Sequence, residues 1–127
     1  MNTNMRLVAL ILILIAPTWA VADNYLCISE KATGFAKQNG KFDVANIASG
    51  DKYIINTENA SLTLFGLGTL SKKCVVEKKY VACIRENVEF TMNRKNLKFM
   101  VYSKSYGYVH ESLDDTPHIA IGTCSKF

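Results

Sequence analysis

Four cysteines behind an export-type leader constrain this chain more than any other feature of it. Arg6 supplies a positive charge, residues 7–16 form a short apolar run, and Ala20-Val21-Ala22 puts small residues where a signal peptidase cuts. The pattern predicts a signal peptide over residues 1–22 and a mature chain, residues 23–127, in an oxidising compartment, periplasmic or secreted. Cys27, Cys74, Cys83 and Cys124 are therefore read as two disulfides before any reading as metal ligands or nucleophiles. The apolar run is about half of the roughly 20 residues a spanning helix needs, and Pro17 ends it, so no transmembrane segment is expected after cleavage. Asp23, not a cysteine, follows Ala22, which argues against lipid attachment.

Residues 23–127 are enough for one domain, which at this size buries about two thirds of its unfolded surface and keeps little stability in reserve. The formal charge of the whole chain is +4, and it falls to +3 when Arg6 leaves with the leader. That charge biases the protein toward anionic partners at low salt but is too small to imply nucleic-acid binding.

Turn residues are closely spaced, and the segments between them are rich in β-branched and aromatic residues, which predicts short strands. Residues 25–29 read as a first strand ended by Thr33-Gly34. Residues 35–37 and 41–44 flank Asn39-Gly40, a hairpin signal because both residues tolerate positive φ. Gly50-Asp51 turns the chain into a strand over 52–56. Over 61–70, Leu62 and Leu64 alternate as in a strand, while Gly66 and Gly68 predict a bend. Val88, Phe90 and Met92 share one strand face, and the turn at residues 93–96 leads into Leu97, Phe99 and Val101. Tyr106 to Val109 continues or follows that strand, and the last strand covers 118–124. Residues 80–86 read equally as helix or strand, and 46–49 can form a single helical turn. The expected fold is all-β, a small antiparallel barrel or sandwich of about seven or eight strands stapled by two disulfides.

Four cysteines allow three connectivities. A hairpin turning at Lys78-Lys79 sets Cys74 directly opposite Cys83, at a separation of about 5 Å that a disulfide spans. That pairing is favoured, and it leaves Cys27 with Cys124, tying the first strand to the last. The absence of Cys-x-x-Cys spacing argues against a redox pair or a zinc site.

No Gly-x-Ser-x-Gly, Walker or His-Glu-x-x-His pattern occurs, so no catalytic residue and no cofactor is assigned. His110, Glu111, Asp114, Asp115 and His118 lie within nine positions and are of types that ligate metals or move protons. Their spacing fits no helical pair, and Asp114-Asp115-Thr116-Pro117 is ordinary turn chemistry, so a solvated loop is the simpler reading. Lys72-Lys73, Lys78-Lys79, Arg94, Lys95, Lys98 and Lys104 would form one basic edge if the two downstream hairpins point the same way. Lysines at turns and edges also serve solubility. Tyr102, Tyr106 and Tyr108, among Ser and Gly, suit a contact surface, although one strand face would equally bury all three. Arg94, Lys95, Lys98, Tyr102, Tyr106 and Tyr108 are the candidate binding residues.

At Cys27-Ile28-Ser29-Glu30-Lys31-Ala32-Thr33-Gly34-Phe35, Gly40-Lys41-Phe42, Lys52-Tyr53-Ile54 and Ile119-Ala120-Ile121-Gly122-Thr123-Cys124-Ser125 the chain resembles a group of small exported proteins of Gram-negative bacteria. The resemblance implies a bacterial envelope setting and assigns no site residues. Two function classes follow. One is a non-enzymatic binding module whose partner is a protein or an anionic envelope component. The other is a metal-dependent or acid/base enzyme using the loop between His110 and His118. A narrower form of the first is an inhibitor of a cell-wall lytic enzyme, since Ser105-Tyr106-Gly107-Tyr108 looks like the insertion loop of such inhibitors. A +3 inhibitor would meet a basic lysozyme with like charge, which opposes association.

Overall fold

Alternating side chains and closely spaced turns fold the described residues into ten antiparallel strands joined in one sheet. The computed structural model describes residues 23–110 and 116–127; the signal peptide expected over 1–22 lies outside the described residues. The strands are β1 (Asn24–Gln38), β2 (Lys41–Ile47), β3 (Lys52–Asn56), β4 (Ser61–Leu64), β5 (Gly68–Ser71), β6 (Val75–Val76), β7 (Tyr80–Arg85), β8 (Val88–Asn93), β9 (Lys98–Ser103) and β10 (His118–Lys126). A single helical turn, α1 (Gly107–His110), follows β9. Ten strands exceed the expected count because the chain over 61–71 is a hairpin and because residues 75–76 form a short strand of their own.

Nine strands lie in the order β5-β4-β3-β1-β10-β9-β8-β7-β6, with β2 paired to β1 off this path. The outermost strands, β5 and β6, are consecutive in sequence, joined by residues 72–74. A flat sheet of nine strands would hold its outer strands about 38 Å apart. The four Cα steps from Ser71 to Val75 reach at most about 14 Å. The sheet must therefore curl, and it does so into a half-barrel with its core on the concave side. The Cys74 N–H donates to the Ala60 carbonyl (2.9 Å), and the Cys74–Cys83 disulfide ties this returning segment to β7.

Both disulfides pair as the hairpin argument favoured. Val75 faces Ala82 and Val76 faces Val81, the register that sets Cys74 against Cys83. Cys27 faces Cys124 across the β1/β10 ladder. The core between them is aromatic: the Phe90 and Phe99 rings stack at 5.3 Å, and Tyr53 packs against both at 5.6 and 5.8 Å. Burying Phe90 alone contributes about 2–3 kcal/mol.

Three local expectations are corrected. Thr33-Gly34 does not end the first strand, because β1 runs on to Gln38. Gly34 is needed for close approach instead: a Cβ there would run into the Pro117 carbonyl oxygen and come within 2.8 Å of His118 side chain and backbone atoms. Residues 46 and 47 are strand, not helix, with Asn46 facing Thr33 and Ile47 facing Ala32. Tyr106 to Val109 leave the sheet: β9 stops at Ser103, and the chain turns into α1, where the His110 N–H donates to the Tyr106 carbonyl (2.9 Å). The Asn39-Gly40 hairpin stands as expected, with both residues at positive φ (49° and 78°).

Candidate functional site

Strand parity decides which apolar side chains the sheet hides and which it displays. A disulfide cysteine points into the core, and so does every second residue from it. From Cys124 this buries Ala120 and turns Ile119 and Ile121 outward, where they are 41% and 49% exposed. From Cys27 it buries Tyr25 and exposes Ile28; from Cys83 it buries Val81 and exposes Ile84. The Ile-Ala-Ile-Gly run of β10 thus puts its small residues inside and its large ones outside. Met100, facing Ile121, and Tyr102, facing Ile119, extend the apolar surface across β9.

This surface continues onto an arm. β10 pairs with β1 only as far as Gly34, and one further bond joins the Phe35 N–H to the Pro117 carbonyl (3.0 Å). Beyond it, β1 and β2 run on as a two-stranded ribbon to the Asn39-Gly40 tip. A bulge between Ser29 and Lys31 shifts the alternation, so Phe35, with Val44 opposite it, lies on the same outer face as Ile119. Phe35 is 50% exposed and Val44 68%. The α1 turn leans on this face through Tyr108, whose ring meets Phe42 edge-on at 5.5 Å. Three clefts, of about 510, 300 and 510 Å³, follow the surface end to end. The first two share Thr33 and Ile119, and the last two share Phe35 and Pro117.

The candidate binding residues divide between two ends of the sheet. Tyr102, Tyr106 and Tyr108 belong to the apolar end: Tyr102 is half-buried on β9, and Tyr106 and Tyr108 are exposed around α1. Arg94, Lys95 and Lys98 sit at the other end of β9, in and just after the β8–β9 turn. The two downstream hairpins do point the same way, since the Arg94 N–H donates to the Lys79 carbonyl (2.7 Å). Lys78-Lys79 and Arg94-Lys95 accordingly lie side by side.

The chain matches no family model, no curated protein and no solved structure.

At the basic end, Arg94 is held on three sides. Its Nε donates to the Tyr25 hydroxyl (3.2 Å), Nη1 to the Glu77 carbonyl (2.8 Å) and Nη2 to Asp23 Oδ2 (2.8 Å). The Tyr25 hydroxyl in turn donates to Asp23 Oδ2 (3.2 Å), and Lys126 Nζ lies 2.8 Å from Asp23 Oδ1. Lys126 does most to hold the Asp23 carboxyl below its ordinary value; burial pushes it up, and Arg94 and Tyr25 add to the lowering. Thr57 fixes the Asp23 backbone, accepting its N–H and donating to its carbonyl at 2.8 Å each. The sequence reading did not find Asp23 or Lys126, because charges so far apart in the chain leave no local pattern.

Of the five residues between His110 and His118 that could ligate or transfer protons, Glu111, Asp114 and Asp115 lie outside the described residues. His110 ends α1, and His118 opens β10 with its Nδ1 2.9 Å from the Thr116 carbonyl oxygen. Among the described residues no group of three His, Cys, Asp or Glu side chains is placed to hold a metal ion. No helix of the described residues is long and apolar enough to cross a membrane.

Proposed function

We propose that the protein is a non-enzymatic binding module of the bacterial envelope, periplasmic or secreted, that holds a protein partner against the outer face of its β1–β2 arm. The observation that carries this reading is the continuous apolar surface from Ile121 and Ile119 through Val44 and Phe35 to Tyr108. Scattered exposed apolar residues need no explanation, but a contiguous strip rimmed by polar residues is the mark of a contact site. Tyrosine at its end adds area at small entropic cost. The two disulfides accord with an oxidising compartment.

The test is capture from Gram-negative envelope extract, with the oxidised protein and the double variant Phe35→Ser/Val44→Ser as parallel baits. Both side chains are exposed, so the variant is expected to melt within a few degrees of the parent. A protein retained by the parent at about 0.5 M salt, where exposed charges are screened, and missing from the variant supports the reading. Equal retention by both baits, or no retained protein, overturns it.

A further inference from the structure

The basic end of the sheet, away from the apolar arm, gathers positive charge around a cleft. The cleft, of about 310 Å³, opens between the β6–β7 turn, the β8–β9 turn and the end of β10. Its lining includes Lys78, Arg94, Lys95, Lys126 and one acid, Asp23. The surplus of three positive charges equals the formal charge of residues 23–127 as a whole, so the rest of that chain is formally neutral. Charge of one sign gathered at a concave surface focuses the field and draws in counter-ions.

We propose that this cleft binds a phosphate group. Three considerations support that chemistry. The lysines that line the cleft come from three separate elements, the β6–β7 turn, the β8–β9 turn and the end of β10, which suits the several acceptor oxygens of a tetrahedral oxyanion. An arginine fork matches carboxylate and phosphate alike, whereas lysine meets phosphate as a point charge; Arg94 already gives three of its N–H donors to Tyr25, Glu77 and Asp23, which leaves the lysines as the main anion contacts. Asp23 does not repel the ligand, because Arg94 and Lys126 neutralise it. Arg94 is thus a positioning residue that locks together the walls of the cleft, while Lys78 and Lys95 meet the anion beside Lys126, whose ammonium is already paired with Asp23.

The phosphate can belong to a lipid headgroup or to a small soluble molecule, and two measurements separate the sources. In the first, inorganic phosphate is titrated at low salt into isotope-labelled protein, with chloride at matched ionic strength as the reference. Phosphate is expected to shift the amide resonances of Lys78, Lys95 and Lys126 beyond the chloride effect and to leave those of Phe35 and Val44 in place. Lys78→Gln/Lys95→Gln should weaken that response about tenfold, from the loss of two exposed charge contacts. Lys37→Gln/Lys41→Gln removes the same charge at the arm tip and should change it little. In the second, the protein is sedimented with vesicles of phosphatidylglycerol or of phosphatidylcholine alone. Sedimentation with the anionic vesicles that the Lys78/Lys95 variant loses assigns the phosphate to lipid. A specific phosphate response without sedimentation assigns it to a soluble ligand. Equal weakening by both double variants, or no response beyond chloride together with no sedimentation, overturns the proposal.

Discussion

Arg94 Nη2 and Asp23 Oδ2 meet at 2.8 Å across 71 residues of sequence, joining the start of β1 to the β8–β9 turn. Asp23 is the group whose charge this contact requires, and its carboxyl is held below the ordinary value of 3.8, by Lys126 first and against the opposing effect of burial. A depressed carboxyl contributes stability that is complete above the unfolded-state value and disappears as pH falls through the folded one. Asp23→Asn should therefore cost about 2 kcal/mol at pH 7, and the gap in melting temperature from the parent should close below about pH 4. Thermal melts of both proteins from pH 7 to pH 2.5 check this; a gap that stays constant with pH would assign the loss to packing.

The two disulfides should differ in weight. Cys27–Cys124 closes 97 residues and Cys74–Cys83 closes 9. Chain entropy assigns them about 4.7 and about 2.6 kcal/mol respectively. Cys27→Ala/Cys124→Ala should consequently melt about 10 °C below Cys74→Ala/Cys83→Ala. Calorimetry of the two double variants decides it, and an inverted order would contradict the entropic argument.

Gly122 and Gly40 should respond differently to alanine. A Cβ on Gly122 would strike the Ile28 carbonyl oxygen and come within 2.7 Å of a Phe99 ring carbon, both in the packed sheet. Gly40 has open space around it and a φ of 78°. Gly122→Ala should therefore cost about 3 kcal/mol through overpacking, and Gly40→Ala about 1 kcal/mol through backbone strain alone. Denaturant midpoints of the two variants measure the difference.

Tyr53 packs against both Phe90 and Phe99, and its burial, aided by the charge of Asp51, pushes its hydroxyl up to about 12. The fold thus disfavours the tyrosinate, so the contribution of this residue is whole below pH 10 and is lost as pH rises toward 12. In a spectrophotometric titration Tyr53→Phe should remove an ionisation step near pH 12. If the step persists in the variant, the assignment is wrong.

What the sequence revealed of this fold was what neighbouring residues decide. Asn39-Gly40 turns as its φ preferences require, Val88, Phe90 and Met92 alternate, and the Lys78-Lys79 turn sets the Cys74–Cys83 register. Gly34 was misread because its need for a bare Cα comes from Pro117, which is remote in sequence. Tyr106 and Tyr108 were assigned a strand option because aromatic residues favour strands; nothing local signals that β9 stops at Ser103. The candidate site divides in the same way. Lysines at turns were visible as a basic edge, whereas the Asp23–Arg94–Lys126 contacts are tertiary. The outward Ile119 and Ile121 were within reach of the sequence, since the parity of Cys124 determines their side.

The position of β10 between β1 and β9 bears on how the molecule assembles. The seam of the sheet is thus made by a strand that comes after all the other described strands in chain order. A chain lacking it holds two pieces with no ladder between β1 and β9, β5-β4-β3-β1 with its arm and β9-β8-β7-β6, linked at their far ends through residues 72–74 and each with a bare edge where β10 belongs. Pairing between residues nearly a hundred positions apart is slow to form, so the unsealed halves are the state most exposed to aggregation and to proteolysis. Early truncation of this protein would yield an adhesive intermediate, not a smaller domain.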